Sequence, residues 1–355
     1  MEGFRQEGKM NRLRFLSLIG LAVLVMVAWS FPVSAAPLED LVAGAKKEGA
    51  LNLHAPSALG PQGAKELGVA FSKKYALNVQ FNYIPSSSFT ADVAKVISHA
   101  AIGVPSEWDL SLITDNHHAT LWRRRLHLPF DYRVLGVDPR SIQHDNGSVM
   151  IAHGVTLPGY NNKTLLPKDV PGRWEDLLDP RWKDGKLGVS SATHHFARLA
   201  AGPWGEKKTT EFVRGLARQR PFLGRLAELS TRLQLGEVLI AGTLSSDMIH
   251  NATKKGAPLA HAAKVEPVLM LGYNAGVLKG ARHPNTAHLF AAFMATSEAQ
   301  EIWEKHRGES SVFVPGTRSY EFAKGKQILL MRPEDAELVD RLANDYSKLL
   351  GFVTN

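Results

Sequence analysis

The segments LNLHAPS (51–57), NVQFNYIPSSS (78–88) and WDLSLITDN (108–116) decide the fold. Each is a short apolar or alternating run that stops at a cluster of small polar residues. In the second, Val79, Phe81 and Tyr83 alternate with Asn78, Gln80 and Asn82, the period of a strand. Between the runs lie helical patterns. Pro61 to Tyr75 puts Leu67, Ala70 and Phe71 on one face, and Phe89 to Ala101 follows the second run. An amphipathic stretch, Leu38 to Lys47, precedes the first run and closes at Gly49. The βαβαβ order predicts an α/β protein built on a doubly wound, mainly parallel sheet.

In such sheets the ligand crevice opens at the carboxyl ends of the strands. Those ends carry Ser57, then Ser86, Ser87 and Ser88, then Asp115. The same residues also suit helix capping, and exposed amides at a helix start bind anions too.

The pattern breaks at Asp131 to Asn146 and resumes with an extended run, Met150 to Tyr160. A short helix (Trp174–Leu178), a strand (Leu187–Val189), helices at Thr210–Arg218 and Glu228–Leu235, and a strand at Val238–Ile240 predict a second α/β lobe. Val268–Tyr273 and Gly276–Leu278 read as two extended pieces, and Asn285–Ala295 and Glu298–Lys305 as helices.

The apolar run Phe15 to Phe31 follows Arg12 and Arg14 and ends at Val33-Ser34-Ala35-Ala36, the layout of a Sec-type signal peptide cut after Ala35. No Cys follows it, so a lipoprotein anchor is not expected. A soluble periplasmic protein of about 320 residues is the expected product, which suits roughly two domains. With 44% hydrophobic and 21% charged residues the chain falls in the globular class. It contains no Cys, which excludes disulfides, thiolate metal sites and cysteine nucleophiles. The net charge is +8; residues 1–35 carry Arg5, Lys9, Arg12 and Arg14 against Glu2 and Glu7, leaving about +6. Apart from Arg123-Arg124-Arg125 the basic residues are scattered, without the aromatic interleaving of a nucleic-acid surface.

Four blocks together resemble the extracellular solute-binding proteins of bacterial ABC importers, in the branch with the ferric-ion-binding proteins. They are LVAGAKKEGALNLHAP (41–56), YNNKTLLPKDVPGRWEDLLDPRWKDGKLGV (160–189), KKGAPL (254–259) and ARHPNTAHLFAAFMATSEAQEIW (281–303). The resemblance implies the type II periplasmic-binding fold, with two lobes joined by two extended hinges and a ligand clamped between them. It places lobe 1 at 36–153 plus 275–315, lobe 2 at 160–268, hinges at 155–160 and 269–274, and a C-terminal helical segment at 316–355. It implies a small-molecule ligand and an inner-membrane ABC permease as partners, and a monomer. It implies no cofactor and no enzymatic activity.

The iron-binding members present two adjacent tyrosines after the strand matching Val238–Ile240. Here that segment is Gly242–Met248, with no tyrosine and Asp247 as its one carboxylate, so a dedicated metal site is not expected. His54, His117-His118 and His194-His195 fall near strand ends, but adjacent histidines point apart. The hydroxyls of Ser191, Thr193 and Ser245, with Arg225 as a carboxylate or phosphate clamp, point to a small organic anion. Few aromatics lie near these loops, which weighs against sugar stacking. A ferric ion or chelate, a role in feeding a chemoreceptor or sensor kinase, and an exported enzyme are the alternatives. No Gly-x-Ser-x-Gly, His-Glu-x-x-His or phosphate-loop pattern favours the last.

Overall fold

The three opening segments become three parallel strands. In a computed structural model, which describes residues 36–352, β1 (Ala50–Pro56) pairs with β2 (Gln80–Ser86) and with β3 (Leu110–Thr114). The signal peptide expected over residues 1–35 lies outside the described residues. Helices α1 (Ala36–Glu48), α2 (Gly60–Tyr75), α3 (Phe89–Ala101) and α4 (Asp115–Arg123) alternate with these strands. Short 3₁₀ turns fill the irregular stretch after α4 and lead to β4 (Ile142–Gln143).

Two long strands carry the chain between lobes. β5 (Ser148–Asn161) begins beside the first lobe and ends in the second. There the chain builds β6 (Leu187–Ser190), α5 (His194–Ala201), α6 (Gly205–Arg218), β7 (Phe222–Gly224), α7 (Leu226–Leu235), β8 (Ile240–Ser245), α8 (Ser246–Lys254) and β9 (Leu259–His261). β10 (Val268–Val277) returns as one strand with an irregularity between Tyr273 and Asn274, where the sequence suggested two pieces. α9 (Pro284–Phe293), α10 (Ser297–Arg307), α11 (Arg318–Ala323), β11 (Ile328–Leu330) and α12 (Ala336–Leu350) complete the chain. All 11 strands form one mixed sheet, ordered β2-β1-β3-β10-β5-β8-β6-β7, with β11 beside β10 and β4 and β9 beside β5.

Strand sense fixes where the lobes face each other. β10 runs antiparallel to β3 and to β5, and β5 antiparallel to β8, while β6 and β7 are parallel to β8. The parallel sets of the two lobes therefore run in opposite senses. Thr114, at the end of β3, is level with Tyr273 and through it with Ala152. Ser245, at the end of β8, is level with Thr156. Four residues of β5 separate the two levels, a gap of about 13 Å. The changeover in β5 lies near Gly154; residues 156–160, expected in the hinge, pair with β8.

Each lobe has its own core. Leu51, Leu53, Phe71, Leu112, Phe290, Phe293 and Trp303 cluster in the first. Trp174, Trp182, Leu187, Phe196, Phe212 and Tyr346 cluster in the second, so α12 packs on lobe 2. Each such side chain contributes roughly 1.5–3 kcal/mol by burial. Capping fixes the entry of α9: the Glu48 carboxylate accepts from the backbone N–H groups of Asn285 and Thr286 and from both their side chains, at 2.6–3.0 Å. The segment Gly242–Ser245 is strand rather than loop. Gly236, at φ 75°, ends α7, and Val238 still bonds back to Arg232, which delays the start of β8 to Ile240.

Candidate functional site

Six strands end at the gap, and each hands the chain to a helix or helical turn. β1, β2 and β3 lead to the turn before α2, to α3 and to α4; β6, β7 and β8 lead to α5, α7 and α8. Six helical starts thus turn their N–H groups toward one cleft, those of α3 and α4 being met in part by Ser88 and Asp115.

The serines on the lobe 1 side divide by role. Ser57 is exposed and opens the turn after β1. Ser87 is exposed, and Ser88 caps α3 by accepting from Ala91 N–H. Ser86 is buried and donates to the Asp92 carboxylate, which also lies 3.0 Å from His54 Nε2. His54 in turn stacks on Trp108 with ring centroids 4.0 Å apart, so it belongs to the lobe's interior.

Asp115 begins α4 and is buried. It accepts from both terminal nitrogens of Arg198 in α5, at 2.9 and 2.6 Å, and from Gly272 N–H at 3.2 Å. Burial alone pushes its carboxyl up, but the Arg198 charge and these bonds outweigh burial and hold it below the ordinary carboxylate value. The pair spans the lobes at the hinge and leaves neither charge over for a ligand.

On the lobe 2 side, Ser191 is exposed and its N–H donates to Gly224 O at 2.9 Å. Thr193 turns inward and donates to Ala343 O of α12 at 2.7 Å. Arg225 is exposed at the start of α7 and makes no side-chain hydrogen bond or ion pair among the described residues. Ser245 donates to the half-buried Asp247, which has no cationic partner among the described residues. Asp115 thus follows β3 and Ser245 and Asp247 stand at the end of β8, the strands that flank the crossing pair β10 and β5. Ser86 and Thr193 are spent on internal bonds, and Arg225 sits two strands outward from Ser245.

Sequence reasoning missed several residues here. Tyr273, on the crossing strand β10, stands 6.5 Å from Phe89, ring to ring, and Phe89 stands 5.6 Å from His117. Tyr83 donates its hydroxyl to Pro56 O at 2.7 Å. Phe89 and Tyr273 therefore set aromatic rings beside the end of β3, while Tyr83 lines the groove between α2 and β2. They come from strand and helix positions that carry no polar signal. Arg307 ends α10, Glu309 follows it, and both are buried together with Tyr273. In each histidine pair one ring is fully buried and the other is half-buried. His118 bonds Asn274 O and His127, and His195 bonds Thr243, whereas His117 and His194 remain half-buried. Burial lowers both of the latter to about 4, so they are neutral at pH 7. Among the described residues, no three His, Asp or Glu side chains converge in metal-holding geometry. A groove of about 680 Å³ lies elsewhere, between α2 and the sheet edge at β2, with Ser57 on its rim.

Comparison with known proteins places this geometry. Residues 137–327 match the family model of the bacterial extracellular solute-binding proteins. An uncharacterized protein of Haemophilus influenzae is 30% identical over 167 residues, 43% of this chain and 46% of that one, so the match spans about half the relative's length. Iron-bound HitA from Pseudomonas aeruginosa superposes with a TM-score of 0.67 at 18% identity, over 85% of this chain and 99% of its own. AfuA from Actinobacillus pleuropneumoniae, with fructose-6-phosphate bound, superposes with a TM-score of 0.61 at 19% identity, over 86% and 99%. These likenesses show the type II periplasmic-binding fold. No helix among the described residues is long and apolar enough to cross a membrane. With a family match over more than half its length and a two-lobed cleft to go with it, the chain belongs to the bacterial extracellular solute-binding proteins.

Proposed function

We propose that this protein captures a small organic anion between its lobes and delivers it, unchanged, to the inner-membrane permease of an ABC importer. It acts in the periplasm as a soluble monomer after removal of residues 1–35. Residues 36–153 with 275–315 move as one lobe and 160–268 as the other, turning about β5 and β10. The convergence of six helical starts on one cleft carries the reading, because fixed N–H dipoles favour an anion without a resident metal. The matched structures hold an iron and a sugar phosphate on this same fold, so its loops, not its scaffold, set the ligand. Ser57, Ser87, Ser88, Ser191 and Arg225 form the outer contacts that close over the solute.

One observation favours a second reading. Asp247 makes no ion pair among the described residues and its charge is felt by the buried Tyr273, whose ring stands 6.5 Å from Phe89, a setting that also suits an organic ammonium ion. A thermal-shift screen of the mature protein against carboxylates, phosphate esters, ferric citrate, polyamines and cationic vitamins separates them. A midpoint rise with an anion supports the proposal. A rise with amines alone, or a ligand recovered chemically altered, overturns it.

A further inference from the structure

The buried pair behind Tyr273 does more than hold the fold. Arg307 ends α10 and Glu309 follows two residues later, at 3% and 2% exposure. One terminal nitrogen of Arg307 donates to Glu309 Oε2 at 3.2 Å and to the Tyr273 hydroxyl at 3.1 Å, while its Nε is buried with no partner. Glu309 lies against Gly154 of β5. A Cβ on that glycine would stand 2.7 Å from Glu309 Oε1 and 3.5 Å from Ser246 Oγ. Ser246 is the first residue of α8, and its hydroxyl is also buried without a partner. A guanidinium, a phenol, an unused hydroxyl and a helix start therefore meet around a single carboxylate, at the point where β5 crosses from one lobe to the other.

We propose that Arg307, Tyr273 and the start of α8 form the seat for the solute's anionic group, and that Glu309 is a tethered carboxylate the solute displaces from it. This rests on the anion reading above and adds its specificity element. The donors around Glu309 match those that a carboxylate or phosphate of a ligand requires. Unused donors at Arg307 Nε and Ser246 Oγ mean that Glu309 satisfies the seat only in part. A solute with more acceptor oxygens gains bonds that Glu309 cannot make. Gly154 matters because any side chain there collides with the seat. The groups facing Glu309 are Arg307 on its own loop, Tyr273 of β10, Asp247 of α8 and, beside Gly308, His250 of α8. Burial raises the Glu309 carboxyl to about 7 despite the pull of Arg307, so Glu309 readily takes up a proton when an outside anion claims the guanidinium. Anion binding then weakens as pH rises above about 7, where Glu309 competes as a full charge.

The test uses inorganic phosphate, citrate and glycerol 3-phosphate as probes, each up to about 10 mM, on the mature protein. Calorimetric or thermal-shift affinities are taken at pH 6 and pH 8. Compared with wild type at the same pH, so that each probe's own titration cancels, Glu309→Gln should bind the responding anion about tenfold more tightly at pH 8, one unit above about 7, and about equally at pH 6. Arg307→Gln alone leaves a buried carboxylate unpaired and risks misfolding. The double variant Arg307→Gln/Glu309→Gln removes both charges, and should fold yet lose at least about 30-fold in affinity. An anion bound equally by wild type and both variants overturns the seat while leaving the anion reading intact. Absence of binding by all three proteins to all three probes overturns both.

Discussion

Replacing Asp115 by Asn should destabilise the protein by about 3–5 kcal/mol, because it strands the Arg198 guanidinium inside the hinge. Arg198 and Asp115 are 2% exposed each, and Asn cannot supply the second charged oxygen that now takes the 2.6 Å bond. The penalty is that of an unpaired buried charge, not of a surface ion pair, for which ~0–1 kcal/mol would be expected. With an unfolding entropy of roughly 2 cal/mol/K per residue over about 320 residues, the loss lowers the thermal midpoint by about 5–8 °C. Guanidinium titration at pH 7, read by tryptophan fluorescence and far-UV dichroism, measures it. The apolar pair Asp115→Leu/Arg198→Met should regain most of the loss, since no charge is left buried.

The pH dependence has a definite sign. The folded protein holds the Asp115 carboxyl below its unfolded value, so the unfolded chain binds this proton first. The gap between wild type and Asp115→Asn is therefore full above about pH 4 and closes as pH falls through the folded value. A loss under about 1 kcal/mol at pH 7, or a double variant no more stable than the single one, would refute the reasoning.

Buried histidines set a second acid limb. Burial lowers His127, His144 and His153 to about 3 and His261 and His288 to about 4, so folded rings stay neutral where unfolded ones charge. Stability should fall as pH drops from about 6.5 toward 4, by up to ~1.4 kcal/mol per pH unit for each such ring, and urea midpoints at pH 7, 5.5 and 4.5 read it. Glu48→Ala removes four hydrogen bonds at the start of α9 and should cost about 2 kcal/mol in urea unfolding, with Asn285→Ala recovering little. Gly272→Ala would place a Cβ 3.2 Å from Asp115 Oδ2 and should lower the thermal midpoint by a few degrees, whereas Ala at exposed Ser87 should change it by less than one. N-terminal sequencing of the exported product should begin at Ala36; recovery of the intact chain in the membrane pellet would contradict the proposed processing.

The fold was legible because its signals are local. Alternation in Asn78–Ile84, the helical faces around Phe71 and Phe290, and punctuation by Gly49 and Ser88 each need only a few neighbouring residues. The site was legible only in part, because its logic is not local. Ser57, Ser87, Ser88, Asp115 and Ser245 stand at strand ends, where topology alone puts a ligand. The sequence does not say that Asp115 would be taken by Arg198, 83 positions away, or that Thr193 would turn to α12. Tyr273 and Arg307 gave no polar-loop signal either. One lies inside a strand and the other at a helix end, and their bond exists only once α10 packs beside β10. The late start of β8 has the same origin, since Leu239 bonds to Lys186 O rather than entering the ladder.

Native mass spectrometry of the protein isolated from the periplasm tests the central claim most directly. The account predicts one non-covalent, anionic adduct of small mass at a 1:1 ratio, lost intact on denaturation and weakened in the Arg307→Gln/Glu309→Gln variant. A bare protein mass that no anion in the screen can shift, or an adduct that carries net positive charge and is unaffected by that variant, would contradict it.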